Sequence, residues 1–238
     1  MGGVIPKRIH QTAPTARLPP RWAAFQRTVR RLHPDCEYRL WTDGDNFEFV
    51  HREFPEHAGM FDSLPRNIMR ADVIRYMLME RIGGIYLDCD YEFLRPFDLW
   101  DHALVLPVSR SAAAGDDVDR LGNCVFASEP GHPFWRRVLA ELAARPPGRE
   151  ADVEEATGPN FLTRIWGAAT PAERAGVLTP ARSLFHPPTP KSPAERARIV
   201  ADGAAYGIHY CDGTWRRPRW AKKVKRWFSK RRDPTPSA

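Results

Sequence analysis

Two aspartates, Asp88 and Asp90, are separated by a single residue and directly follow the short apolar segment 85–87. In an extended chain, side chains two residues apart point to the same side, so both carboxylates are predicted to face one site at the end of a strand. Strand ends in open α/β sheets are where ligands usually bind. Two hard oxygen ligands suit Mg²⁺ or Mn²⁺, and such an ion neutralises charge that develops on a departing diphosphate. The alternative is a pair of solvated turn aspartates, because this short pattern alone recurs by chance.

A second group of polar residues lies on the predicted helix just before this segment. Asp72, Arg75 and Tyr76 are spaced i, i+3 and i+4, so they share one helix face, and Arg70 and Arg81 flank them. A carboxylate and a guanidinium on one face can accept from and donate to sugar hydroxyls, and arginine can bind phosphate bidentately. The equally weighted alternative is an exposed Asp72–Arg75 pair, worth only a few tenths of a kcal/mol.

The elements that must position these residues begin with a β-α-β unit. The pattern predicts a strand over residues 4–10, a helix over 21–32 and a strand over 38–41, closed by a polar turn at 42–46. This order is typical of a parallel sheet in an α/β protein.

The best-defined predicted helix follows, with Ser63 as its N-cap and Pro65 in its first turn. Gly83 and Gly84 are predicted to end it, directly before a buried strand over 85–88. Its apolar stripe consists of Met69, Val73, Tyr76 and Met77. Further predicted elements are strands at 104–106, 124–126 and 205–210, helices at 133–144 and from 158 to 165, and a proline-rich loop at 187–193.

The size and composition of the chain predict one domain with a tail. Its 238 residues, 42% of them hydrophobic, suffice for one α/β core and are too few for two full domains. The predicted division is a catalytic domain over 1–213 and a basic aromatic tail over 214–238. The sequence has neither a long apolar run nor the apolar stretch of a secretory signal, which predicts a cytoplasmic protein.

Four cysteines occur without a C-x-x-C pair, which argues against a zinc ribbon or a disulfide scaffold. Cys89, between the two aspartates, is predicted to be a small buried residue, with oxidation or metal binding as the alternative.

The net charge of +7 is concentrated in the tail. Residues 213–232 contain ten Lys and Arg and no acidic residue, so the remainder of the chain is slightly acidic. An apolar stripe formed by Trp220, Val224, Trp227 and Phe228 alternates with this charge, as in an interfacial helix on anionic lipid. Residues 215–232 are therefore predicted to contact the inner face of the cell membrane. Docking on the protein's own body and a solvated tail are the alternatives, and nucleic acid is not expected.

Taken together, several segments resemble family 32 glycosyltransferases, the DXD sugar-binding group, which includes α-mannosyltransferases and bacterial capsule enzymes. The arrangement of an Asp-x-x-Arg followed by a Tyr-x-Asp-x-Asp is also similar to that of the large glucosylating bacterial toxins. The resemblance covers about residues 4 to 215. The segments that carry it are IPKRIHQT at 5–12, RADVIRY at 70–76, GGIYLDCD at 83–90, TGP at 157–159 and HYCDGTW at 209–215.

The resemblance implies a GT-A fold, a UDP- or GDP-linked sugar donor, Mn²⁺ or Mg²⁺, a glycan, glycolipid or natural-product acceptor and, usually, retention of anomeric configuration. By position, the metal ligands would be Asp88, Asp90 and His209, and the catalytic residues Asp88, Asp90 and Arg75. The substrate-binding residues would be His10, Gln11, Asp72, Arg75, Tyr86, Asp88 and Trp215. Without the family, His209 is more often a core histidine, and Trp215 could equally anchor the tail. The family often has a tryptophan soon after His-Gln-Thr, where this chain has Ala13 and Pro14. The resemblance therefore does not predict the identity of the donor's nucleotide base.

Two other functions compete with a glycosyltransferase. A metal-dependent phosphohydrolase or nucleotidyltransferase would need a further ligand or base near the aspartates, and Glu92 is the obvious neighbour. A non-catalytic membrane-binding module would use the tail alone. The intact set of Asp72, Arg75, Asp88 and Asp90 argues against it. No paired glutamates mark a double-displacement nucleophile, which favours front-face attack with proton transfer to the departing phosphate. The abundance of Ala, Arg and Pro indicates a GC-rich bacterial genome.

Overall fold

The computed structural model of the protein describes residues 5–112 and 118–213. Trp215 and the tail at 214–238 lie outside the described residues, so the predictions made for them remain predictions. The described helices are α1 Pro20–Leu32, α2 Asp43–Glu53, α3 Pro55–Ser63, α4 Asn67–Arg81, α5 Pro133–Ala144, α6 Val153–Ala156, α7 Pro159–Gly167, α8 Pro171–Arg174, α9 Arg182–Phe185 and α10 Pro193–Asp202. The described strands are β1 Arg8–Thr12, β2 Glu37–Trp41, β3 Gly84–Leu87, β4 Tyr91–Phe93, β5 Leu104–Val105, β6 Val108–Arg110, β7 Arg120–Leu121, β8 Val125–Ser128, β9 Val177–Leu178 and β10 Gly207–His209.

Six strands form a mixed sheet in the order β2-β1-β3-β8-β5-β9. β1 is parallel to β2 and β3, β5 is parallel to β9, and β8 runs antiparallel to both of its neighbours. β4 pairs with β10, and β6 with β7, in two small antiparallel sheets. This mostly parallel arrangement confirms the predicted α/β class.

The central strands of the sheet, β3 and β8, are buried on both faces. On β3, Ile85 and Leu87 join the apolar cluster on the side of α1, whereas Tyr86 joins the larger cluster formed with α4 and α5. Phe126 on β8 likewise faces α4, while Val125 and Ala127 face the other side. Alternate residues of a strand point to opposite faces, so these short apolar strands form the middle layer of a three-layer domain.

Gly83 and Gly84 end α4 as predicted, and both adopt positive φ angles, 68° and 96°. A Cβ on Gly84 would lie 2.5 Å from the carbonyl oxygen of Arg8 in β1, and one on Gly83 would lie 2.7 Å from Ser128 O. Glycine is therefore required both by the backbone conformation and by the close approach of β1 and β8.

The segment between β2 and α4 differs from the prediction. The predicted turn at 42–46 is the first turn of α2, because Thr42 and Asp45 form a reciprocal capping box. Ser63 is the last residue of α3 rather than the N-cap of the next helix, and α4 begins at Asn67.

Elsewhere the predicted helices are confirmed and some boundaries move. α5 has the predicted bounds, and α7 begins at Pro159 as predicted. The first strand spans residues 8–12 rather than 4–10. Pro193 belongs to α10, which Ser192 caps, so the proline-rich loop ends at 192. Within the described ranges, every helix is too short or too polar to cross a bilayer.

Candidate active site

A cleft of about 620 Å³ opens where β1 and β3 end. Thr12, Ala13 and Pro14 line it just after β1, and residues 88–90 line it after β3. The carboxyl ends of neighbouring parallel strands are the usual place for a ligand in such a sheet. Asp72 and Arg75, from α4, form an adjoining wall.

The Asp88-Cys89-Asp90 segment is a turn between β3 and β4, not the extended chain that the sequence predicted. The amide of Asp88 donates to Cys124 O at 2.8 Å, and the amide of Tyr91 donates back to Asp88 O at 3.1 Å. The two carboxylates still converge, because this turn folds them towards one point. Cys89 is buried, 4% exposed, as predicted.

The last strand brings a histidine to this turn. β10 pairs with β4 so that His209 lies opposite Tyr91, and His209 Nε2 lies 3.2 Å from Asp90 Oδ1. The amide of Asp212 donates to Asp90 Oδ2 at 2.8 Å. Burial alone would raise the pKa of Asp90, but the hydrogen bonds from His209 and Asp212 lower it overall, so Asp90 is held ionised.

Asp88, Asp90 and His209 are brought together as predicted, each offering a ligand atom within 4.8 Å of the others. Two carboxylates and one imidazole at this spacing fit a divalent cation. The core interpretation of His209 does not fit, because its side chain is 22% exposed at the cleft.

The Asp72–Arg75 pair is buried, not a surface pair. Both side chains are 4% exposed, and Arg75 Nη2 lies 3.2 Å from Asp72 Oδ1. Arg75 Nη1 lies 3.2 Å from Asp88 Oδ1, so one guanidinium links α4 to the aspartate pair. Burial raises the pKa of Asp72 to about 7, although Arg75 opposes this shift.

Two residues that the sequence analysis did not assign to the site complete this pair. Asn123 Nδ2 and Thr157 Oγ1 donate to the two oxygens of Asp72 at 3.0 and 2.8 Å. Arg75 in turn donates to Asn123 O at 2.5 Å. Thr157 was visible only as part of a family landmark, and Asn123 had no sequence signal. Every oxygen of Asp72 thus has a partner before any ligand binds.

Three predicted substrate-binding residues lie behind the cleft wall. His10, Gln11 and Tyr86 are 3%, 0% and 0% exposed, and none of them lines the cleft. Gln11 donates to Asp88 O at 3.2 Å, and the Tyr86 hydroxyl donates to Asp88 Oδ1 at 2.8 Å. This geometry corrects the expectation of direct contact: the three side chains face away from the cleft, and Gln11 and Tyr86 hold the Asp88 turn in place.

His10 is bound further back in the same layer. Its Nε2 lies 3.0 Å from Gly83 O, and Trp41 Nε1 donates to its Nδ1 at 3.1 Å. Trp22, which the sequence did not single out for the site, does line the cleft, and its indole nitrogen donates to Asp212 at 2.8 Å.

Comparison with known proteins places these features in a family. The family described as glycosyltransferase sugar-binding region containing DXD motif matches residues 19–106. Inositol phosphoceramide mannosyltransferase 3 of Schizosaccharomyces pombe is 40% identical over 167 residues, covering 69% of this chain and 45% of the relative. Mannosyl phosphorylinositol ceramide synthase SUR1 of Saccharomyces cerevisiae is 34% identical over 174 residues, covering 68% of this chain and 42% of the relative. The chain therefore spans less than half the length of either protein.

A solved structure supports the fold. The chain superimposes on PaToxG Glycosyltransferase with a TM-score of 0.55 and 16% identity, covering 87% of this chain and 90% of that one. The predicted GT-A architecture is confirmed, and the likeness extends over nearly the whole described chain.

Proposed function

We propose that this chain, which belongs to the glycosyltransferase family whose sugar-binding region contains a DXD motif, transfers a hexose from a nucleoside-diphosphate sugar to a hydroxyl group of an acceptor. The observation that carries this proposal is the convergence of Asp88, Asp90 and His209 beside the buried Asp72–Arg75 pair in one cleft.

Asp88, Asp90 and His209 would hold Mn²⁺ or Mg²⁺, and the bound ion would neutralise charge on the departing diphosphate. Asp90 is the ligand best prepared for this, because the amide of Asp212 donates to its Oδ2 and favours its ionised form. Arg75 lies between Asp72 and Asp88, where it compensates both carboxylates and adds fixed positive charge beneath the site.

Asp72 and Arg75 would form the wall against which the donor sugar lies. Their positions are set by Asn123 and Thr157, so the sugar meets groups that do not reorganise. Mannose is the first sugar to test, because the two yeast relatives are named for mannosyl transfer.

The proposed reaction is a retaining, front-face displacement. The bond from the anomeric carbon to the phosphate oxygen breaks, and its electron pair leaves with the diphosphate. The acceptor oxygen bonds to the same face of the anomeric carbon, and its proton passes to the departing phosphate oxygen. The carboxylates near the reaction centre support this route, since Asp72 and Asp88 are both paired with Arg75. A glycosyl group trapped on either aspartate would contradict it.

The acceptor is proposed to be lipid-linked or a glycan. The relatives' names refer to inositol phosphoceramide and its mannosylated product, and the basic segment 215–232 would suit attachment to an anionic membrane from the cytoplasmic side. A bacterial source remains a prediction from composition, since both relatives named here are from yeasts.

Glu92, the residue on which the phosphohydrolase alternative depends, is engaged elsewhere. Glu92 accepts from Arg196 at 3.0 Å and from the Tyr210 hydroxyl at 2.8 Å, and it does not line the cleft. A non-catalytic module is not favoured by a site in which these charged groups are so closely arranged.

The proposal is tested by incubating the purified chain with Mn²⁺ and a panel of GDP- and UDP-linked hexoses, beginning with GDP-mannose, and measuring nucleotide release. Turnover of one donor that EDTA abolishes is the expected result. Phosphate release from many nucleotides irrespective of the sugar would instead favour a phosphohydrolase, and absence of both turnover and metal-dependent donor binding would favour a non-catalytic module.

A further inference from the structure

Residues 209–212, at and just after the end of β10, wrap around Asp90. The amide of Tyr210 donates to Asp90 O at 3.1 Å, and the amide of Asp212 donates to Asp90 Oδ2 at 2.8 Å. His209 Nε2 lies 3.2 Å from Asp90 Oδ1, so all three oxygens of Asp90 are contacted by this short stretch of chain. The orientation of Asp90 therefore depends on where the 209–212 segment lies.

The backbone of the 209–212 segment adopts an unfavourable conformation. Cys211 has a φ angle of 52°, and no other residue except glycine has a positive φ angle in the described ranges. Such a left-handed conformation is uncommon for a residue with a side chain, and it persists only where surrounding contacts hold it. Because Cys211 directly precedes Asp212, this turn helps to direct the Asp212 amide towards Asp90.

Two residues in the first turn of α1 hold the side chain of Asp212. Arg21 Nη1 donates to Asp212 Oδ1 at 3.1 Å, and Trp22 Nε1 donates to Asp212 Oδ2 at 2.8 Å. Hydrogen bonds to an ionised carboxylate are stronger than those between neutral groups, so both bonds favour one position of this residue. The carboxylate of Asp212 is thus bound within the protein, and it is the amide of Asp212 that reaches the site.

Tyr210 attaches the same segment to α1 at a second point. Its ring stacks on Phe25 with centroids 5.2 Å apart, and the guanidinium of Arg21 lies 4.1 Å from the centroid of the Tyr210 ring. Arg21 and Phe25 are four residues apart on α1, so they share one face of the helix. This face therefore supports the segment that contacts Asp90, although Arg21 and Asp212 are 191 residues apart in sequence.

We propose that Asp212 is a positioning residue for the divalent cation site. Arg21 and Trp22 fix its carboxylate, and its amide in turn fixes Asp90, so that Asp90 is oriented before a cation binds. Loosening the attachment to α1 should then weaken cation binding although Asp88, Asp90 and His209 all remain. This inference rests on the proposed metal-dependent transfer, but cation binding itself is measured without turnover.

The test measures the dissociation constant of Mn²⁺ for the full chain by electron paramagnetic resonance, with GDP present. Asp212→Ala is the main variant, because it removes the carboxylate and leaves the backbone amide. Trp22→Phe keeps an aromatic ring and removes only the indole N–H, so it decides the test if Asp212→Ala does not unfold cooperatively in urea. Asp98→Ala is the matched control: Asp98 also accepts from two side chains, Arg95 and Tyr206, but it does not line the cleft.

We expect Asp212→Ala to raise the Mn²⁺ dissociation constant about tenfold and Trp22→Phe to raise it by a smaller factor, while Asp98→Ala keeps the wild-type value. Because the proposed ligands remain, saturating Mn²⁺ should restore most of the donor turnover of Asp212→Ala. Wild-type affinity in the Asp212 and Trp22 variants, or an equal rise in Asp98→Ala, would overturn the inference and leave the transfer reaction standing. Mn²⁺ binding that depends on Asp212 in a chain that turns over no donor would instead reject the transfer reaction and keep the role of Asp212.

Discussion

The cleft meets a smaller cavity, which Asn46 and Phe47 line, and the two walls at this junction are built in opposite ways. On the α4 wall, Asp72 and Arg75 are buried and each has hydrogen-bond or ion-pair partners within the protein. On the α2 wall, Asn46 Oδ1 has no partner among the described residues and Phe47 is half exposed. The first wall is complete before a ligand arrives, as expected where charge must be stabilised without reorganisation. The second has an unmet hydrogen bond and an exposed apolar ring.

The largest expected effect comes from removing a charge from the Asp88–Asp90 turn, which adjoins the α4 wall. Asp90→Ala should lower donor turnover by about 10²- to 10³-fold, because it removes the proposed metal ligand, which His209 and Asp212 contact. The measurement is nucleotide release at saturating Mn²⁺. Asp101→Ala, at an aspartate whose side chain is 88% exposed, serves as the control and should retain full activity. Comparable rates in the two variants would show that the Asp88–Asp90 turn is not the reaction site.

Arg75→Met should have the next largest effect, now on stability. It leaves Asp72 and Asp88 without their shared cation, and breaking a buried ion pair costs about 3–5 kcal/mol. Urea unfolding monitored by tryptophan fluorescence gives the free energy of unfolding.

The control for this change is Arg52→Met, which removes an exposed pair with Glu53 and should cost less than about 1 kcal/mol. Equal costs for the two variants would mean that the α4 wall does not depend on this guanidinium.

Acid should destabilise the fold through two buried histidines, His10 on β1 and His186 directly after α9. Burial lowers the pKa of His10 to about 4, and burial together with His209 lowers the pKa of His186 to about 3, whereas an unfolded histidine titrates near 6.5. The unfolded state therefore binds protons first as the pH falls. The stability contributed by keeping each histidine neutral is present above pH 6.5 and is lost towards the folded pKa, by up to about 1.4 kcal/mol per pH unit for each histidine.

His10→Gln isolates one of these histidines. Its free energy of unfolding should fall less steeply between pH 6.5 and pH 5 than that of the wild type. The comparison uses slopes rather than absolute stabilities, because the substitution also changes packing. Parallel slopes would show that His10 is not held neutral.

The smallest effect should come from Tyr86→Phe. The hydroxyl donates to Asp88 Oδ1 at 2.8 Å and lies 3.1 Å from Thr12 Oγ1, so its removal should cost about 1 kcal/mol of stability. Turnover should fall only a few-fold, since Arg75 still holds Asp88. A loss as large as that of Asp90→Ala would mean that Tyr86 contacts the substrate, as the sequence had suggested.

Patterns of local origin were predictable from the sequence. The periodicity of α5, the glycine stop after α4 and the apolar strand before Asp88 were all correctly located, because each depends on residues close together in the chain. The segment at 42–46 was wrongly predicted as a turn, since Thr42 and Asp45 suit both a turn and a capping box. Only the apolar contacts of Phe49 and Val50 with the core decide for a helix.

The charged residues of the site could be predicted from the sequence, but the residues that hydrogen-bond to them could not. The type and spacing of Asp72, Arg75, Asp88 and Asp90 identified the chemistry without any tertiary information. Their burial, and the hydrogen bonds from Asn123 and Thr157, depend on segments 50 or more residues away. For the same reason His10, Gln11 and Tyr86 were expected to contact substrate although they lie behind the wall. A residue's closeness in sequence to the motif does not show whether its side chain faces the cleft or the protein interior.

The proposed metal site is tested most directly by a Mn²⁺ titration followed by electron paramagnetic resonance, with GDP present, on the wild-type chain and on Asp90→Ala. The wild type should remove one equivalent of the free-ion signal, and the variant should remove much less at the same concentrations. Equal uptake by both proteins, or none by the wild type, would contradict the assignment of Asp88, Asp90 and His209 as the metal site on which the proposed transfer depends.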